Sequence, residues 1–66
     1  MIVVVDAGSQ QVAGAMMMQA YMHGIEVEKL YDNQLEFWSA DDERLERFLT
    51  KYPGKVLHKE SIKIVD

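Results

Sequence analysis

The 66-residue chain has no cysteine and a single proline. Without cysteine there is no disulfide and no thiolate metal site, and the simplest compartment is a reducing one. Its two histidines, His23 and His58, lie far apart in sequence and are too few to make a zinc cage by themselves. The opening apolar run, residues 1–5, is short and no Lys or Arg precedes it. Neither a signal peptide nor a membrane span is therefore expected, and the expected location is cytoplasmic. Internal repeats, low-complexity tracts and linkers are also missing, which leaves one domain over residues 1–66.

A chain of this length sits near the lower limit at which one apolar core offsets the entropy of ordering the backbone. Domains this small usually recruit disulfides, metals or partner chains. With the first two excluded or unsupported, self-association is the remaining route. No cofactor or metal is expected.

The formal net charge of −4 is unevenly spread. Residues 25–46 hold eight acids against Lys29 and Arg44, whereas residues 47–66 hold five bases against Glu60 and Asp66. An acidic protein gains no counterion-release affinity for nucleic acid, so nucleic acid is disfavoured as a partner. Solvated charged faces that keep a small domain soluble account for the distribution.

Residues 1–6 read as a short, fully buried strand, covered on both faces or central in a sheet, because Val3, Val4 and Val5 are β-branched without polar alternation. Gly8 frees the backbone to turn and Ser9 caps a helix over residues 9–23, which Gly24 ends. On a helical wheel Val12, Ala13, Met16, Met17 and Ala20 form one apolar face. Ala15, Met18 and Met22 form a second, roughly opposite. Residues 25–31 and 35–39 are strand candidates joined by a turn at Asp32, Asn33 and Gln34, with Lys29 expected to face Phe37. That pairing puts Ile25, Val27, Leu35 and Phe37 on one side, and Glu26, Glu28, Glu36 and Trp38 on the other. Ser39 to Asp42 supply a cap and acids for a second helix, whose stripe is Leu45, Phe48, Leu49 and Tyr52. Pro53 and Gly54 stop it. Residues 55–58 and 61–65 then read as a last strand, bulged or interrupted near residues 59–61.

The order strand, helix, strand, strand, helix, strand resembles the ferredoxin-like arrangement. The expected fold is therefore α+β, ferredoxin-like βαββαβ: a four-stranded antiparallel sheet with two helices on one face. The first and third strands should be central, and the opposite face of the sheet should lack a cover.

Val5-Asp6-Ala7-Gly8-Ser9-Gln10 after an apolar strand resembles the opening of the class I glutamine amidotransferase domain of GMP synthetases. That chemistry needs a cysteine nucleophile, which this chain lacks, so the activity is not carried over. The segment also resembles the first phosphate loop of actin-like ATPases, but there the motif joins two strands, whereas here a helix follows. Asp6 at the tip of the first strand resembles the metal-holding Asp of small ferredoxin-like nucleases of the CRISPR-associated kind, where a dimer pairs two such residues around a divalent cation. Gly8 before the first helix gives a likeness to ACT domains, which bind small metabolites at dimer interfaces. A strand-to-helix turn that needs a glycine and a cap explains the same residues without any ligand.

Met16, Met17 and Met18 occupy consecutive helical positions and so point in different directions, which forces at least one thioether out of the domain's own core. Methionine suits surfaces that meet another protein. Met18, Met22, Ala15 and Tyr21 are the expected contact residues. Trp38, on a sheet face with nothing to cover it, is a further anchor candidate. The expected function is that of a non-catalytic protein-interaction module, a small regulator or inhibitor of a kind a phage could encode. It would act by forming a homodimer or docking on a partner protein. The rival readings are an ACT-like ligand sensor and a metal-dependent nuclease working through Asp6.

Overall fold

The computed structural model describes residues 1–61. Its elements are β1 (Ile2–Asp6), α1 (Gln10–Met22), β2 (Glu26–Lys29), β3 (Gln34–Trp38), α2 (Asp42–Lys51) and β4 (Lys55–Glu60). The strands form one sheet in the order β2-β3-β1-β4, and each neighbouring pair is antiparallel. This is the expected ferredoxin-like α+β fold. β1 and β2 run parallel but do not touch, because β3 lies between them.

Both helices cover the same face. Val3 and Val5 of β1 and Leu35 and Phe37 of β3 form one buried cluster with Ala13, Met16 and Ala20 of α1 and Leu45 and Phe48 of α2. The Phe37 and Phe48 rings lie 5.4 Å apart at 56°, and Tyr52 continues the stack 5.0 Å from Phe48. Each large side chain fully buried here is worth about 1.5–3 kcal/mol. This cluster is the main cohesive term of the fold.

β1 is not buried on both sides. Val3 and Val5 are fully buried, but Ile2 and Val4 are only half-buried, because they point to the other, uncovered face, which has no helix over it among the described residues. The unbroken β-branched run reflects a central position in the sheet, not two covering layers. Val12 is 43% exposed, although its wheel position groups it with the buried face. The sheet under α1 reaches Ala13, Met16 and Ala20, and Met17 is half-buried beside them.

The hairpin turns one residue earlier than the sequence suggested. Its tip is Tyr31, Asp32 and Asn33, with Asp32 in the left-handed region at φ 57° and the Leu30 N–H donating to the Gln34 carbonyl at 2.9 Å. An aspartate tolerates that conformation, so the turn centres on Asp32. Lys29 therefore pairs with Leu35, and Val27 pairs with Phe37. The expected register was off by two residues, an even slip, so every side chain keeps its expected face.

Ser39 does not cap α2. Asp41 does, its carboxylate accepting from the Arg44 N–H at 3.2 Å. Ser39 is buried and braces the corner, its hydroxyl donating to the Asp41 carbonyl and accepting from the Asp41 N–H. The Met1 ammonium donates to the Ser39 carbonyl at 2.6 Å and pairs with Asp42 at 3.1 Å. Gly54 leads into β4 at a point where a Cβ would collide with Val5 Cγ1. The strand runs unbroken to Glu60, with its register shift opposite Val4 and Val5 instead of near residues 59–61. The expected strand at residues 61–65 lies, beyond Ser61, outside the described residues.

Candidate functional site

The strand pairing arranges the uncovered face of the sheet in rows. One row reads Glu26, Trp38, Ile2, Glu60, and the next reads Glu28, Glu36, Val4, His58. A third holds Gln34, Asp6 and Lys55. Its middle is apolar and its β2–β3 side is acidic. Glu28 stands directly opposite Glu36, a like-charge pairing that works against the sheet. Trp38 is 39% exposed here.

The outer face of α1 is the second unusual surface. Met18, Tyr21 and Met22 are 65%, 67% and 73% exposed, and Ala15 is exposed between them. No residue of α1 carries a charge. Gln11, Ala15, Met18 and Met22 recur at intervals of four, three and four, so they share one stripe along the helix. Gln19, beside the stripe, accepts a hydrogen bond from the Tyr52 hydroxyl at 3.0 Å. That bond fixes the α1–α2 contact and leaves the stripe clear.

Each side of this stripe borders a groove. Towards the end of α2 the walls include Val12, Ala15, Tyr52 and Pro53. Over β2 they are Tyr21, Glu26, Val27, Glu28, Glu36 and Trp38. Tyr21 and Trp38, which the sequence assigned to a helix face and a sheet face, thus border one concavity around the β2 edge. The sequence reading missed Glu26, Glu28 and Glu36 as part of it. The alternation of Glu26 and Glu28 with Val27 on one strand, and of Glu36 with Leu35 and Phe37 on the next, was the available signal.

Asp6 is engaged locally: its carboxylate accepts the Gly8 N–H at 2.8 Å, shaping the turn into α1. Gly8 has a positive φ of 85°, which explains the glycine as a backbone requirement. Among the described residues no three His, Asp or Glu side chains gather as a metal-binding group. His23 follows α1 as its C-cap, and its ring meets Phe48 edge-on at 6.0 Å. Among the described residues, no helix is long and apolar enough to cross a membrane.

In comparisons with known proteins, the chain matches no family model, no curated sequence and no solved structure.

Proposed function

We propose that the chain is a non-catalytic interaction module of the cytoplasm, a small regulator or inhibitor that works through protein contact, and that the outer stripe of α1 is its principal docking surface. The supporting observation is the exposure of Met18, Tyr21 and Met22 on a helix without charge. An exposed apolar patch rimmed by polar groups marks an interaction site more often than chance solvent exposure does. The thioethers adapt to whatever shape meets them.

A second copy is the first occupant in this reading. Two copies of an acidic protein repel one another through most approaches, but two uncharged stripes meet without that penalty. Paired antiparallel about a two-fold axis, Ala15 of one copy faces Met18 of the other, so a small residue accommodates a long one and the helix dipoles oppose. A parallel pair sets the small residues together and the long ones together, which leaves a gap beside a crowded point.

Covering two methionines per copy contributes about 1.5 kcal/mol each at the lower end of the burial range. Association costs about 4–15 kcal/mol in lost freedom. The balance predicts a weak, concentration-dependent dimer.

Light scattering or sedimentation over a wide concentration range tests it. The expected result is a mass rising above the 7.6 kDa monomer, with Met18→Glu plus Met22→Glu held at the monomer while its circular dichroism stays unchanged. A parent protein that stays monomeric throughout removes self-association. An unchanged dimer in the double variant clears α1 of the contact.

A further inference from the structure

We propose that the groove over β2 binds an extended, cationic segment of another protein as an added strand. This goes beyond the docking role of α1 and concerns the neighbouring groove, which shares only Tyr21 with it.

The two edges of the sheet differ in how they are guarded. β4 carries Lys55 and Lys59 on its length and a register shift against β1, features that discourage edge-to-edge pairing. β2 has no proline and no register shift, and its one lysine is the last residue of the strand. Because Leu30 is hydrogen-bonded to Gln34, the antiparallel alternation turns the backbone N–H and C=O of Val27 and Lys29 away from β3. Those groups face outward, as a template for one more strand.

Side-chain alternation then specifies the occupant. On the uncovered face an added strand meets Glu26 and Glu28, with Glu36 and Trp38 behind them. A Lys or Arg placed opposite Glu28 lies about 4.5–5.5 Å away in Cβ terms and reaches Glu36 as well. It relieves the Glu28–Glu36 repulsion that the free protein carries. The next cation along, opposite Glu26, lays its stem on the exposed Trp38 ring, a favourable cation–π placement. The residue between the two cations points to the helix side, where half-buried Val27 and the Tyr21 ring call for an apolar side chain. The segment therefore reads cation, apolar, cation. Charge complementarity excludes an anionic polymer and a second copy's β2, which would set glutamate against glutamate. A second copy's β4 holds Lys55 opposite Asp6 and Lys59 opposite Val3, so its two lysines lie on opposite faces and do not meet Glu26 and Glu28 together.

Trp38 is the only tryptophan, so its emission reports the groove directly. The probe is a short peptide alternating Lys with Val, titrated at low and high salt. The expected result is a saturable shift in emission that weakens with salt. Glu28→Gln and Glu36→Gln should each weaken binding about two- to fivefold while raising the melting temperature, since each removes half of a like-charge pair. A purely structural carboxylate would not move the two readouts in opposite directions. A Lys-Val peptide with a central proline should lose binding, because it cannot complete the edge pairing. Met18→Glu plus Met22→Glu should leave peptide binding intact, so failure of the α1 reading and failure of this one are separable. No saturable response, an equal response to a Glu-Val peptide, or unchanged affinity in both Gln variants would overturn the proposal. Loss of parent self-association in Glu28→Lys plus Glu36→Lys would also overturn it, by assigning the groove to a second copy.

Discussion

The two helices share a layer, yet they are built to different rules. α2 has a narrow stripe, Leu45 and Phe48 buried with Leu49 and Tyr52 at its margin, and a charged outer side. That side carries Glu43 against Arg47 at 3.8 Å and Glu46 against Lys59 at 3.2 Å. α1 buries only Ala13, Met16 and Ala20, and presents apolar residues outward without one charge. Both are capped, by Asp41 and Ser9, although only α2 adds acids, Asp42 and Glu43, to its first turn. The requirements of this fold explain α2 completely. They explain half of α1, and the remainder is where a function by contact is to be sought.

The largest test of the contrast is Phe48→Ala. It removes the ring that joins Phe37 to Tyr52 and should cost about 3–5 kcal/mol, measured by urea or thermal unfolding. For a domain this small the loss approaches its whole stability. Within α1 itself, Met16→Ala should cost about 2–3 kcal/mol, whereas Met18→Ala should stay within about 0.5 kcal/mol and show its effect only in association. Similar costs at both positions would erase the distinction between an inner and an outer face. Smallest are the caps: Ser9→Ala and Asp41→Ala should each cost about 1 kcal/mol, and a large disparity between them would show that the helices differ in more than their outer sides.

Much of the fold was legible because local signals agreed. Ser9 and Gly24 bracket α1, Pro53 and Gly54 end α2, and the β-branched Val3–Val5 mark a central strand. The hairpin register was not legible to the residue, since Asp32 and Asn33 both tolerate a left-handed backbone and only the paired strands decide between them. The choice did not affect the faces, because the alternatives differ by an even slip. Exposure of Met18 followed from three methionines in a row pointing three ways, and that of Met22 from its place one turn further along the same face. The groove did not follow, because it joins Tyr21 to Trp38 around a strand edge, and the spacing of residues along a chain does not reveal what folds beside that edge.

The three consecutive methionines carry one more consequence. Met16 is sealed, Met17 is half-covered and Met18 stands in solvent, so a mild oxidant meets three identical thioethers at three depths. Met18 and Met22 become sulfoxides first, which turns the greasy stripe polar while the protected Met16 keeps the interior intact. If the proposed docking role of this stripe holds, an oxidised molecule stays folded yet loses its association, and methionine sulfoxide reductases restore it.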